Sequence, residues 1–123
     1  MQTQNSQTIQ AAQAIRQARA QRQPIARISE TYGISGLEAA YEVANINNRI
    51  QLDEGRKING LKVGLTSKSV QQQLDVDQPD FGLLFDEMEY LNGQVIPMAK
   101  LIQPKVEAEV AFVVGRDITS ERP

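Results

Sequence analysis

Residues 58–65 read INGLKVGL, and at this stretch the hydrophobic period of the chain changes. Apolar side chains alternate here with a lysine and a glycine, as they do in a β-strand with one apolar face. The residues before this stretch have helical spacing instead. We therefore expect an α+β protein, with an amino-terminal helical segment at residues 1–57 and the first part of a β-rich domain at residues 58–123.

Two amphipathic helices are predicted in the helical segment. In residues 8–23, Ala and Ile recur at helical spacing until a proline follows. Residues 25–34 are expected to form a connecting loop. The second helix should begin at Ser35, because Ser35 and Glu38 have the spacing of a capping box, and it should end near Gly55.

Four further elements are predicted after the first strand. Residues 69–74 should form a short helix, capped by the hydroxyl residues just before it. Residues 79–82, Pro-Asp-Phe-Gly, have the composition of a tight turn. Asn92-Gly93 between two apolar pairs is typical of a β-hairpin. Residues 106–114 are predicted to form a strand.

The charge balance argues against a polyanionic partner. The chain has 13 basic and 15 acidic residues and a net charge of -2, so no broad positive field gathers nucleic acid or anionic lipid. No apolar run approaches the roughly 18 residues of a membrane span, and the Gln-rich start lacks the layout of a signal peptide. We expect a cytoplasmic protein with no nucleic acid and no membrane among its partners.

The composition also restricts the chemistry, since the chain has no Cys, His or Trp. Thiol nucleophiles, histidine triads and His/Cys zinc sites are excluded within this chain. Proton transfer would use Asp, Glu, Lys or Tyr, and a bound metal would have oxygen ligands, which favours Mg²⁺ or Mn²⁺. The three tyrosines are interpreted as packing residues: Tyr32, Tyr41 and Tyr90.

Glu107 and Glu109 are the candidate metal ligands. Residues two apart in a strand share a face at a spacing of about 7 Å, so both carboxylates could hold one divalent cation. The same face continues into Ala111 and Val113, and the cation would offset the cost of bringing two carboxylates to the rim of a core. The alternative is a solvated strand edge, which the residues alone favour because Glu-x-Glu is common.

Lys62 is a candidate for binding an anion. Gly60 and Gly64 flank it on its own face of the strand, which leaves room for a small carboxylate or enolate beside the ammonium group. The alternative is an ordinary solvated lysine, and the residues alone favour that interpretation.

Asp80, in the Pro-Asp-Phe-Gly stretch, is a candidate base or hydrogen-bond acceptor. A turn can present a carboxylate into a cleft. The alternative is that this composition simply suits a type I turn.

Five motifs follow one another along the chain at consistent spacing. These motifs are Gly60–Ser67, Val70-Gln71, Val76–Gly82, Asp86–Met88 and Glu107–Phe112. Together they resemble the 2-keto-4-pentenoate hydratase family of the fumarylacetoacetate hydrolase superfamily. Several ordered motifs are more specific than any single one, so the resemblance favours the functional interpretation of the candidate residues over the alternatives.

The resemblance implies roles for individual residues. Glu107 and Glu109 match two of the family's three metal-binding carboxylates, Lys62 its active-site lysine and Asp80 an acidic residue with a catalytic role. The substrate-binding residues that it implies are Gly64, Thr66, Ser67 and Phe81.

The resemblance also implies a mixed β-sheet roll that this chain would only begin, because family members are longer. We therefore expect a truncated chain. The family's third ligand lies on a later strand, and Asp117 and Glu121 come too early to replace it. Asp75 stands where the family usually has glycine, which makes the geometry of that turn a point to test.

The implied function is a metal-dependent hydro-lyase of aromatic-compound catabolism. It would hydrate a 2-hydroxy-2,4-dienoate (2-oxopent-4-enoate) to a 4-hydroxy-2-oxo acid with Mg²⁺ or Mn²⁺. The alternatives are a related 2-oxo-enedioate decarboxylase and a non-catalytic fragment or partner subunit. We also expect a homo-oligomer, with a related decarboxylase subunit as a further partner.

Overall fold

The computed structural model describes residues 6–119 of the chain and confirms the α+β class. Helices come first, and two antiparallel strands with a short helix between them follow. The elements are α1 (Ser6–Gln21), α2 (Ile28–Tyr32), α3 (Leu37–Asp53), β1 (Ile58–Gly64), α4 (Lys68–Gln73), β2 (Asp80–Phe85) and two 3-10 helices (Asp86–Met88 and Met98–Lys100).

Helices α1 and α3 pack against each other around a small apolar core. Ala11 and Ala12 of α1 are completely buried, together with Val43 of α3. The small alanine side chains let the two helices approach closely. Beside this core, Arg16 Nη1 donates a hydrogen bond of 2.6 Å to Oδ1 of the buried Asn47. A charged hydrogen bond of this kind stabilises the helix pair by about 1.5–3 kcal/mol.

Two expectations about the helical segment are wrong. The expected loop at residues 25–34 contains helix α2, which ends where Gly33 adopts a left-handed φ of 66°. The expected capping box does not form, because the residue before α3 is Gly36 with φ 80° and ψ 163°. Only glycine readily adopts that conformation, so Gly36 rather than Ser35 precedes the helix, which begins two residues after Ser35.

Strands β1 and β2 pair antiparallel, with Gly64 opposite Asp80 and Lys62 opposite Gly82. The tight turn expected at residues 79–82 is therefore wrong, since Asp80 already begins β2. Its composition suits a turn, but β1 offers backbone partners that a turn would leave unused. The proline of this stretch stands just before the strand, where its missing N–H costs no ladder bond.

The connection from β1 to β2 turns at two residues with left-handed backbone. Leu65 and Asp75 both have φ of 56°. The buried Gln71 of α4 fixes the first turn, because its Nε2 donates a 2.6 Å hydrogen bond to the Leu65 carbonyl. At Asp75 the chain adopts the conformation that glycine adopts most easily, which explains why this position suits glycine.

The carboxyl-terminal part has fewer strands than expected. The turn at Asn92-Gly93 forms, with Gln94 N donating to Leu91 O at 3.0 Å, but the flanking residues of this described segment are not strands. Within the described range, residues 106–114 also pair with no strand, and Val106 is 99% and Phe112 90% exposed. Both expectations are wrong for the same reason: a strand needs a neighbour to take its backbone hydrogen bonds, and none lies beside these segments.

The proposed division into residues 1–57 and 58–123 stays a prediction.

Of the helices between residues 6 and 119, none is long and apolar enough to span a bilayer.

Candidate active site

The β1–β2 pairing brings Lys62 and Asp80 to one face. Opposite residues of an antiparallel pair share a face, and so do residues two apart on one strand. Since Lys62 pairs with Gly82 and Gly64 with Asp80, all four project to the same side. Both charged side chains are exposed to solvent. Two candidates that are 18 positions apart in sequence thus become diagonal neighbours.

Gly64 lies between the two charged groups. A Cβ placed on Gly64 would overlap the Asp80 carboxylate, and it would lie 3.5 Å from the Lys62 Nζ. Lys62 and Asp80 are both described and form no ion pair with each other. The two groups therefore approach each other over the bare Cα of Gly64, with the carboxylate at the position that a side chain there would take.

The stem of Lys62 crosses the other glycine of this face. A Cβ placed on Gly82 would lie 3.1 Å from Lys62 Cγ and 3.4 Å from Cδ. The methylene chain therefore runs over Gly82 and directs the ammonium group towards Gly64.

Tyr41 is a residue of this region whose polar contact the sequence did not reveal. Its hydroxyl accepts a 2.9 Å hydrogen bond from the backbone N–H of Phe81. The sequence suggests only a packing role for Tyr41, but the contact ties α3 to β2 directly beside Asp80. Buried tyrosines usually find a partner for the hydroxyl, yet no local pattern indicates which one.

An open cleft of about 730 Å³ adjoins Asp80. Leu37 of α3 and Leu65 after β1 give it apolar walls, and Pro79 lies beside Asp80 at its edge. The carboxylates of Asp75 and Asp77 also line it. A cleft with this mixture of apolar walls and carboxylates can hold a small organic molecule next to Asp80.

Three of the expected substrate-binding residues lie beside this face or on the other side of the strand pair. Thr66 and Ser67 lie in the exposed stretch between β1 and α4, where the Ser67 and Ser69 hydroxyl oxygens are 2.7 Å apart. Phe81 is 62% exposed and neighbours Asp80 in β2, so its side chain points to the opposite face. Their contact with substrate stays a prediction.

The structure does not bring Glu107 and Glu109 to Lys62 and Asp80. Both glutamates are exposed in the unpaired segment, and neither makes a hydrogen bond or ion pair with any described residue. From residue 6 to 119, no group of three or more acidic side chains is placed to hold a metal ion. Asp117 is exposed, and Glu121 lies outside the described residues.

The chain is similar in sequence to known hydratases. It is 50% identical over 112 residues to 2-keto-4-pentenoate hydratase 2 of Dechloromonas aromatica (strain RCB), covering 91% of this chain and 43% of that protein. It is 46% identical over 114 residues to 2-keto-4-pentenoate hydratase of Paraburkholderia xenovorans (strain LB400), covering 93% and 42%. The chain thus spans less than half the length of these relatives. No family model matches it.

The fold is similar to that of a solved decarboxylase. Two structures of 4-oxalocrotonate decarboxylase from Pseudomonas putida G7 match with a TM-score of 0.75 and 30% sequence identity. They cover 83% of this chain, which corresponds to 40% and 39% of those chains. One is complexed with calcium and acetate and the other with magnesium and adipate.

Proposed function

The chain belongs to the 2-keto-4-pentenoate hydratase family of the fumarylacetoacetate hydrolase superfamily, and we propose on that basis that it contributes Lys62 and Asp80 to the active site of a hydro-lyase. The substrate is a 2-hydroxy-2,4-dienoate and the product a 4-hydroxy-2-oxo acid, formed in the catabolism of aromatic compounds. The observation that carries this proposal is the placement of a cation and a carboxylate on two strands over the bare Cα of Gly64.

The reaction needs one group that stabilises negative charge and another that carries a proton, and Lys62 and Asp80 can supply them. Moving the enol proton of the dienoate to its terminal carbon gives a 2-oxo-3-enoate; water then adds its oxygen to C4 and a proton to C3. Negative charge develops on the 2-oxygen in both steps, and the Lys62 ammonium can stabilise it. Asp80 can carry the proton, which is worth about 10²- to 10⁴-fold in rate for a positioned acid or base.

We further propose that Glu107 and Glu109 are two ligands of a divalent cation, Mg²⁺ or Mn²⁺. Carboxylate oxygens are suitable ligands for such ions, and the solved relative is complexed with calcium or magnesium. A bound cation would polarise the 2-oxo acid. The part of the chain that the structure describes does not assemble a full ligand set, because the two glutamates stand in an exposed, unpaired segment.

Calorimetric titration with Mn²⁺ or Mg²⁺ tests these ligands. With only two carboxylates the ion should bind weakly, since Mg²⁺ gives up its water ligands reluctantly. Replacement of Glu109 by Gln should abolish the heat of binding, and Asp117→Asn is the matched acidic control. If the Glu109→Gln chain binds as the unchanged chain does, the proposed ligands are wrong.

Decarboxylation of a 2-oxo-enedioate is the second candidate, because the solved structural relative is a decarboxylase. The hydratase is preferred since the named hydratases are 50% and 46% identical to the chain. Incubation with 2-hydroxypenta-2,4-dienoate and, separately, a 2-oxo-enedioate, each with Mg²⁺, distinguishes them. A product one water heavier than the dienoate supports the hydratase, and release of CO₂ from the enedioate supports the decarboxylase. If neither substrate changes, the chain alone is a non-catalytic fragment or a partner subunit.

We also propose that the chain associates with further copies of itself or with a related decarboxylase subunit. The apolar side chains of residues 106–114 are mostly exposed, and an unpaired extended segment readily adds to another strand. Sedimentation of the chain at increasing concentration should show species larger than a monomer. A clean monomer at high concentration would exclude self-association.

A further inference from the structure

Two glycines occupy diagonal positions on the face that bears Lys62 and Asp80. Gly82 lies opposite Lys62, and Gly64 lies opposite Asp80. Neither has a left-handed φ, so the backbone at both positions would accept an ordinary residue. What glycine provides at these two positions is therefore the free space beside each Cα.

We propose that Gly82 is a positioning residue for Lys62 and Gly64 a positioning residue for Asp80. Each glycine removes a methyl group that would push the facing charged side chain away, so that the ammonium and carboxylate groups meet over the Cα of Gly64. The roles of these two groups rest on the proposed function, whereas their placement by the glycines does not.

The contacts at Gly82 support its role towards Lys62. A Cβ there would lie 3.1 Å from Lys62 Cγ, which is closer than carbon atoms normally pack, and 3.4 Å from Cδ. The stem of the lysine would therefore have to shift or change its rotamer. Because Cγ lies near the backbone, such a change moves the ammonium group at the end of the side chain relative to Gly64.

The contacts at Gly64 are still tighter. A Cβ there would overlap the Asp80 carboxylate and lie 3.2 Å from its Cγ. The Asp80 side chain is short, so its carboxylate can avoid an added methyl group only by rotating away from Gly64. The Asp80 carboxylate lies where a Gly64 side chain would stand, and the substrate contact expected at Gly64 stays a prediction.

Gly60 provides a matched control on the same strand and face. It faces Leu84, and a Cβ there would lie 3.7 Å from Leu84 Cδ1 and 3.9 Å from its Cβ. These are ordinary van der Waals distances, so Gly60→Ala should fit. Any general effect of alanine in place of glycine in β1 appears in this variant too.

Carbodiimide coupling of the chain tests the placement without needing any substrate. The reagent joins an amine and a nearby carboxylate as an amide, and peptide mass mapping then measures the link between Lys62 and Asp80. We expect this link in the unchanged chain and its loss in Asp80→Asn. Gly82→Ala should lower its yield by about fivefold or more, as overpacking of about 1 kcal/mol implies, and Gly64→Ala by at least as much.

The Gly60→Ala chain should keep the yield of the unchanged chain. Equal yields in Gly82→Ala and Gly60→Ala would overturn the inference for Gly82, and equal yields in Gly64→Ala and Gly60→Ala would overturn it for Gly64. Hydrogen exchange of the β1 and β2 amides shows whether the strand pair has formed in each variant. If Gly82→Ala prevents pairing, Gly82 serves the strand pair itself rather than Lys62, and the inference for Gly82 is overturned.

The hydration assay separates this inference from the proposed function. In a chain that hydrates the dienoate, Gly82→Ala should lower kcat by about tenfold and leave KM within about twofold, because a misplaced group costs rate more than binding. A chain that forms the Lys62 to Asp80 link but hydrates nothing would refute the function and leave the positioning role intact.

Discussion

The two helices α1 and α3 bury their apolar residues against each other, whereas the strand pair leaves much of its apolar surface open. Ala11 and Ala12 are completely buried in the helix pair, but Leu61 of β1 is 75% exposed. A helix satisfies its backbone hydrogen bonds within itself and needs a neighbour only for its apolar stripe. A strand needs a neighbour for its backbone hydrogen bonds as well as for its apolar face. The helical part therefore closes a small core, and the strand part carries Lys62 and Asp80 on a layer whose apolar side chains are largely exposed.

The largest expected effect concerns Phe85, the large side chain that is buried in the strand part. Phe85→Ala should lower the free energy of unfolding of this part by about 3–5 kcal/mol, since it removes the ring and leaves a cavity. Hydrogen exchange should show loss of protection in β1 and β2 while α1 and α3 keep theirs. Equal loss in the helices would show that the two parts unfold as one unit.

Val43→Ala makes the converse change in the helix pair. Val43 is buried among the alanines of α1, and its truncation should cost about 2 kcal/mol. Thermal unfolding followed by circular dichroism measures this. The exposed Val95 offers a control, because Val95→Ala removes the same atoms from a side chain that is 83% exposed and should change little.

The bond between Arg16 and Asn47 should contribute about as much as the buried Val43 side chain. Asn47→Ala is expected to cost about 1.5–3 kcal/mol, because the Arg16 guanidinium loses its partner between α1 and α3. A double-mutant cycle with Arg16→Ala isolates the pair. Purely additive costs would show that the 2.6 Å contact contributes nothing to the pairing of the helices.

The smallest expected effect is at Asp75, in the connection to β2. Asp75→Gly should stabilise the chain by up to about 1 kcal/mol, because it relieves a left-handed backbone with φ of 56°. Asp77→Gly removes the same charge from the same cleft without that backbone conformation and should not stabilise. If both variants respond alike in urea unfolding, charge rather than backbone strain explains the effect.

The sequence predicted the helix pair and β1 well because their patterns are local. The bounds of α1, α3 and β1 lie within about two residues of the predicted ones. Gly36 shifted the start of α3 because a backbone conformation that needs glycine took precedence over the side-chain cap at Ser35. The sequence predicted a turn at the start of β2 because amino-acid composition is a local signal. The pairing of β2 with β1 depends on residues far away in the sequence, so composition did not reveal it.

The candidate site likewise has one part that local sequence patterns predicted and another that depends on long-range pairing. The alternation in β1 predicted which residues share the face of Lys62, but the register that sets Asp80 opposite Gly64 depends on pairing and could not be derived. Tyr41 and Phe81 are 40 positions apart, so their hydrogen bond left no sequence signal. The expected strand at residues 106–114 has no partner among the described residues, and the metal-ligand role of its glutamates stays a prediction.

Hydration of 2-hydroxypenta-2,4-dienoate by the Asp80→Asn chain measures whether Asp80 carries the proton. Asp80→Asn keeps the shape of the side chain and removes its ability to carry a proton, and Asp77→Asn makes the same change elsewhere in the cleft. We predict a loss of about 10²- to 10⁴-fold in kcat for Asp80→Asn and a near-normal rate for Asp77→Asn. An Asp80→Asn chain that hydrates the dienoate as fast as the unchanged chain would show that Asp80 has no catalytic role.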